Sequence, residues 1–224
     1  MEKESLKDKK RPMKKNVKRM ILKGTIWFAV LLLVFGLMLV IWHFFKDNIL
    51  TVDYKLKDYI TNYMINDNNT KFMKIISLFG SKYTLIVIMV IGCIFMYKRR
   101  YSIFLALNLF VVYISGYVFK HIACRPRPSL SLIAETGYSF PSGHVMCSTA
   151  FYGMLLYFIF KYVKSIPFRW ILSFVISLLV VFIGISRLYL GVHHLSDVIG
   201  GFILGGIVLI MFISMAKEYF KEDK

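Results

Sequence analysis

A chain of 224 residues that is 58% hydrophobic, with a mean hydropathy of +0.63, carries more apolar surface than a soluble domain of this size hides. Its net charge of +17 would suit nucleic acid, but the basic residues are confined to short segments between long apolar runs, which argues against that partner and for a lipid bilayer. The cysteines (Cys93, Cys124 and Cys147) show no metal-ligand spacing and are read as apolar filler.

The chain opens with a basic leader over 1–24, including "EKESLKDKKRPMKKNVKR", followed by "TIWFAVLLLVFGLMLVIWHFF" from Thr25 to Phe45. About 20 apolar residues cross a hydrocarbon core of roughly 30 Å. This run is too long for a signal-peptide core and lacks a small-x-small cleavage site, so it is expected to stay as the first span. The connection over 46–74 contains "VDYKLKDYITNYM", which puts Val52, Leu56, Tyr59, Ile60 and Tyr63 at helical spacing with charges between them. That pattern predicts an amphipathic helix at the outer interface, between the first and second spans.

Further apolar runs follow at about 77–97, 101–119, 145–163, 170–186 and 198–216. The expected fold is all-α: an integral membrane bundle of six transmembrane helices, one domain over 25–216, with a tail over 217–224. The leader, "KRR" (98–100), "KYVKSIPFR" (161–169) and "KEYFKEDK" (217–224) would then share one side. The positive-inside rule makes that side cytoplasmic and puts both termini there, where the leader also meets anionic headgroups.

The unusual polar residues gather on the opposite face, in three clusters: "KHIACRPRP" (120–128), "YSFPSGH" (138–144) and "SRLYLGVHHLSD" (186–197). Charges near the hydrocarbon need a function or a partner. Lys120, Arg125, Arg127 and Arg187 are matched in these segments by only two acids, Glu135 and Asp197, so the cluster suits an anion, and arginine's planar fork suits phosphate oxygens. Ser142 reads as a helix N-cap and Gly143 allows close approach to the backbone, so the start of the fourth span offers free N–H groups to an oxyanion, with His144 beside it.

In the third cluster His193 and Asp197 are four residues apart and His194 and Asp197 three apart, so one helical turn brings either ring to the carboxylate. A carboxylate on one ring nitrogen leaves the other free as a nucleophile. Spacing does not choose between the two histidines. A divalent metal held by His121, His144, His193, His194 and Asp197 is disfavoured by the surrounding fixed cations. A serine hydrolase built on Ser142 lacks the G-x-S-x-G elbow and leaves the cations unexplained.

Together the clusters resemble the signature of the type 2 phosphatidic acid phosphatase superfamily, related to the vanadium haloperoxidases: K-x6-R-P, P-S-G-H and S-R-x5-H-x3-D. Here these are Lys120-x6-Arg127-Pro128, Pro141-Ser142-Gly143-His144 and Ser186-Arg187-x5-His193-x3-Asp197. The six-span layout resembles the bacterial membrane members, and the likeness extends over about 25–215. The resemblance implies that His193 is the nucleophile forming a phosphohistidine, Asp197 its orienting group, and His144 the acid that protonates the leaving lipid oxygen. It assigns Lys120, Arg127, Ser142, Gly143 and Arg187 to the phosphate, with no metal or other cofactor. Only the family spacing prefers His193 to His194 and Arg127 to Arg125; His121 and His194 fall outside the signature.

The expected function is therefore hydrolysis of a lipid phosphomonoester or diphosphate (phosphatidylglycerophosphate, phosphatidate or undecaprenyl diphosphate) at the outer face of the cell membrane. The alternative is a non-catalytic lipid-phosphate binder or transporter that reuses the fold. The expected partners are the lipid phosphate and the bilayer; the sequence says nothing of oligomeric state.

Overall fold

The computed structural model describes residues 2–95, 99–129 and 131–220, with side chains from residue 16 onward except at 95 and 99. The parts of the basic leader, the 98–100 segment and the C-terminal tail beyond those limits lie outside the described residues.

The described residues form helices and no strands, joined by short turns and one longer irregular connection over 124–142: α1 (Glu2–Tyr63), α2 (Asp67–Phe79), α3 (Lys82–Phe95), α4 (Arg99–Ala123), α5 (Gly143–Tyr162), α6 (Ile166–Tyr189) and α7 (Leu195–Tyr219). Five helices are long and apolar enough to cross a bilayer. Helices α2 and α3 pass the same test only as a pair, bent by 50° where they meet, which gives up to six spans if the pair is one. The second span expected over 77–97 falls across this bend. Gly80 sits at the break, where an added Cβ would come within 2.7 Å of Ile183 and 3.3 Å of the His144 ring. The break brings backbone against the future site, which an unbroken helix with side chains would prevent.

The amphipathic helix expected after the first span is present, but as the continuation of α1 beyond a kink at Phe45 (φ −115°, ψ 19°). Its packed face also differs from the expected one. Asp53 and Ile60 are buried and Leu56 is partly so, whereas Val52, Tyr59 and Tyr63 are exposed. Asp53, Leu56 and Ile60 are spaced i, i+3, i+7 on one stripe; an acid occupies a core position there, which an apolar pattern search passes over.

Helix α5 is the hub, packed on α4, α6 and α7, and its Met146, Ala150, Phe151, Met154 and Phe158 are buried. The outer faces keep their apolar side chains uncovered, among them Leu33, Phe110 and Phe174, as lipid-facing surfaces do. The Gly201-x3-Gly205 pair in α7 lies against α5 and lets the two helices approach closely. A Cβ at Gly201 would fall 2.9 Å from the Ser142 carbonyl, and one at Gly205 2.6 Å from the Met146 carbonyl.

Helices α1 and α7 are tied at one end of the bundle, where Lys23 Nζ pairs with Glu218 Oε1 at 2.6 Å. Lys161 stacks over Phe220 at that end. Lys120, Gly143, Arg187 and Asp197 occupy the opposite ends of their helices.

Candidate active site

The three polar clusters converge at that opposite end. The α5 and α7 starts are tied directly, since the Ser142 N–H donates to the Asp197 backbone carbonyl at 3.0 Å. The Ser139 N–H donates to the Arg125 carbonyl at 2.8 Å, which fixes the stretch before α5 against the end of α4. Two sequence-distant motifs are thereby held in register by backbone, and the position of their side chains follows.

His193 is almost completely buried, between an anion and a cation. Its Nδ1 faces Asp197 Oδ2 at 3.5 Å, an ion-pair distance that is long for a hydrogen bond. Its Nε2 lies 3.3 Å from Arg127 Nη1. A guanidinium only donates, so Nε2 is the unprotonated nitrogen and the proton is on Nδ1, toward the carboxylate. Burial lowers the His193 pKa to about 4, against the opposing pull of Asp197, so the ring is neutral at ordinary pH.

His194 is oriented differently. Its backbone N–H donates to Asp197 Oδ2 at 2.9 Å, while its ring meets Tyr54 of α1 edge-on at 5.9 Å. The sequence left the two histidines equivalent by spacing; in the structure the ring of His193 is the one flanked by Asp197 and Arg127.

Arg127 is clamped on every nitrogen, donating to the carbonyls of Gly137 (3.1 Å), Val192 (2.9 Å) and Thr136 (3.1 Å). Lys120 Nζ donates to the carbonyls of Tyr138 at 2.7 Å and Ser139 at 3.2 Å. Arg187 is buried, donating to Ser77 Oγ of α2 and to Glu135 Oε1, each at 2.5 Å. Ser142 occupies the N-cap of α5 but makes no side-chain cap bond; its Oγ is buried without a partner. An unpaired buried hydroxyl is costly, so this one is a donor or acceptor kept open.

Several partners escaped the sequence reading. Arg125 is buried, donates from Nη1 to Asp197 Oδ1 at 2.6 Å and from Nη2 to Asp53 Oδ2 at 2.7 Å, and its guanidinium lies 4.1 Å from the centre of the Trp42 ring. Asp53 also accepts from the Ser196 N–H (3.0 Å) and hydroxyl (2.6 Å). The cationic surplus inferred from the clusters is therefore smaller than it looked, because α1 delivers a carboxylate from outside them. Among the described residues no group of three or more His, Cys, Asp or Glu side chains converges as a metal site would require.

Beside the cations opens a cavity of about 1440 Å³ between α2, α3, α4 and α5. Lys120, His144, Arg187 and Gly143 line its polar end, and Leu85, Leu109 and Met146 its apolar wall. His121 is at its rim, with Nδ1 2.8 Å from the Tyr117 carbonyl and its ring edge-on to Tyr138. An anion with a long apolar substituent fits this combination.

Residues 101–221 match the family described as the PAP2 superfamily. The chain belongs to the PAP2 superfamily. It is 36% identical over 141 residues to phosphatidylglycerophosphatase B of Bacillus subtilis, covering 60% of this chain and 67% of that protein. It is 32% identical over 154 residues to undecaprenyl-diphosphatase of Sulfolobus acidocaldarius, covering 65% of this chain and 69% of the relative. The crystal structure of a transmembrane PAP2-type phosphatidylglycerolphosphate phosphatase from Bacillus subtilis superposes with a TM-score of 0.74 at 25% identity, over 87% of this chain and 96% of that one. The PAP2 match begins at Tyr101, so α1 to α3, including Asp53 and Ser77, lie before it.

Proposed function

We propose that this PAP2 protein is a membrane-embedded lipid phosphatase that removes a terminal phosphate through His193. The observation that carries the reading is the His193 ring held between Asp197 and Arg127, in the same polar cluster as Lys120, Gly143, His144 and Arg187, which line one end of a cavity of about 1440 Å³.

The lipid phosphate enters with its oxygens toward Lys120, Arg127, Arg187, the Ser142 hydroxyl and the Gly143 N–H at the start of α5. Arg127 Nη1 exchanges its contact with His193 Nε2 for a phosphate oxygen, which frees the lone pair to attack phosphorus. The N–P bond forms as the P–O bond to the lipid breaks, and His144 gives its proton to the leaving oxygen. Asp197 stabilises the positive charge that develops on His193. Water then attacks the phosphohistidine with His144 as base, releasing inorganic phosphate and restoring neutral His193. Phosphoryl transfer asks mainly for positioning and for stabilisation of charge on the non-bridging oxygens, which the fixed cations supply.

The substrate is an amphiphile, since the cations end at the depth of the helix termini and the cavity wall is apolar. Phosphatidylglycerophosphate, phosphatidate and undecaprenyl diphosphate all meet that description, and the names of the relatives support the first and last. Lys23, Lys161 and Glu218 lie at the bundle end opposite the site, and the positive-inside rule applied to the basic 161–169 segment supports a site that faces outward with both termini cytoplasmic.

The test is phosphate release by purified protein in detergent with EDTA, across a panel of these lipids. Release from at least one lipid, lost in His193→Ala with the fold retained, is the expected result. No release from any member, or full release by His193→Ala, would reject the reading.

A further inference from the structure

Glu135 is the one acid in the 124–142 connection, and its carboxylate stands inside the cradle assigned above to phosphate. Oε1 is 2.5 Å from Arg187 Nη2 and Oε2 is 3.7 Å from Arg127 Nη2. The two oxygens of one carboxylate thus face the two guanidinia that would hold two phosphate oxygens. The backbone around it is anchored: Thr136 and Gly137 accept from Arg127, and the Leu132 N–H donates to the Leu190 carbonyl at 2.9 Å. The Glu135 side chain keeps 27% exposure while Arg187 beside it keeps 1%, so the carboxylate can swing outward without its loop moving.

We propose that Glu135 is a specificity residue, whose carboxylate occupies the cradle in the free protein and is displaced by a dianionic terminal phosphate but not by the monoanionic phosphodiester of an ordinary phospholipid. The proposal rests on the phosphatase reading of the same site. A bilayer presents phosphodiester headgroups to this site in large excess over any substrate, and all of them carry a phosphate that arginine can bind. Replacing Glu135 by a phosphodiester exchanges one negative charge for one and gains no Coulomb attraction to Lys120, Arg127 and Arg187. Replacing it by a terminal phosphate, which carries close to two charges above a second pKa of about 6, adds a negative charge among three cations. Discrimination comes from raising the threshold for the wrong ligand as well as from contacts to the right one.

The experiment compares wild type, Glu135→Gln and Glu135→Asp by calorimetric binding of short-chain phosphatidate and short-chain phosphatidylglycerol in detergent at about pH 7, above the second phosphate pKa of about 6. All three are made in a His193→Ala background so that no turnover intervenes, and phosphate release by the His193 parent tests the phosphatase reading separately. Glu135→Gln keeps the size and an oxygen acceptor for Arg187 and removes only the charge. It is expected to bind both lipids about tenfold or more tighter than the parent, which brings phosphatidylglycerol into a cradle that the parent keeps closed to it. Glu135→Asp, which keeps the charge, is expected to bind both lipids about as weakly as the parent. Unchanged or weaker phosphatidylglycerol binding by Glu135→Gln would overturn the proposal, as would a gain in Glu135→Asp as large as that in Glu135→Gln.

Discussion

Arg125 holds Asp197 from behind: its Nη1 donates to Oδ1 at 2.6 Å, which leaves Oδ2 to the His194 N–H and the His193 ring. The other nitrogen of the same guanidinium carries Asp53, so one buried arginine neutralises two buried carboxylates from α1 and α7. Removing one member of such a group leaves uncompensated charge in low dielectric. Arg125→Ala is expected to lose about 3–5 kcal/mol of stability and most activity. Arg125→Lys, which restores charge but not the fork, should recover part of the stability and less of kcat. Thermal unfolding in detergent beside steady-state kinetics separates the two losses. Wild-type kcat in a folded Arg125→Ala protein would show that Asp197 needs no such support.

Ser142→Ala should separate binding from stability. The hydroxyl has no partner in the free protein, so deleting it costs little stability or even adds some. If it meets a phosphate oxygen, its loss removes a hydrogen bond to a charged group worth about 1.5–3 kcal/mol, an activity loss of at least about tenfold. An unchanged kcat/KM would mean that the hydroxyl does not touch the phosphate.

Gly205→Ala tests the scaffold under the site. The new methyl would meet the Met146 carbonyl at 2.6 Å, where backbone cannot yield, so α5 and α7 must separate. A loss of about 1–3 kcal/mol is expected. Activity should fall as well, because the same helix pair carries Ser142 and Asp197 on a shared backbone hydrogen bond. Unaltered unfolding temperature and activity would contradict this packing.

The pH dependence follows from His193, whose pKa burial lowers from 6.5 to about 4. The unfolded chain takes up a proton on this ring below about 6.5 and the folded chain does not until about 4. Stability is therefore full above the higher value, falls as pH drops through this window and levels off below it. Burial lowers the His194 pKa too, so it acts in the same direction. If His193 is the nucleophile proposed above, its neutral form persists to low pH, and the acid limb of kcat/KM that belongs to the enzyme should lie near 4. An enzyme limb near 6.5, measured against the substrate's own ionisation, would contradict a buried neutral His193.

Much of the candidate site could be read from the chain because its residues are local. Lys120 and Arg127, Ser142 and His144, and Arg187, His193 and Asp197 lie in three short stretches at helix ends, and the apolar run lengths put those ends on one face. What the sequence could not show is which distant groups pair with them. Asp53 looked like a solvated charge on an amphipathic helix, and nothing local marks it as a core position facing Arg125. Ser77 sat in an apolar run and gave no sign of meeting Arg187. The break at Gly80 was hidden inside a hydropathy run, because hydropathy measures composition and not how closely the backbone there approaches Ile183 and His144. The choice between His193 and His194 depends on ring direction, set by Tyr54 and Arg127 from other segments, and spacing along one helix carries no such information.

The most direct measurement is rapid quench of the enzyme with a lipid carrying a radiolabelled terminal phosphate, followed by mapping of the labelled residue. The account predicts an acid-labile, base-stable phosphoenzyme on His193 that forms before phosphate is released, is absent in His193→Ala and is still formed by His194→Ala. Label on His194, or phosphate release at the wild-type rate by His193→Ala, would contradict it.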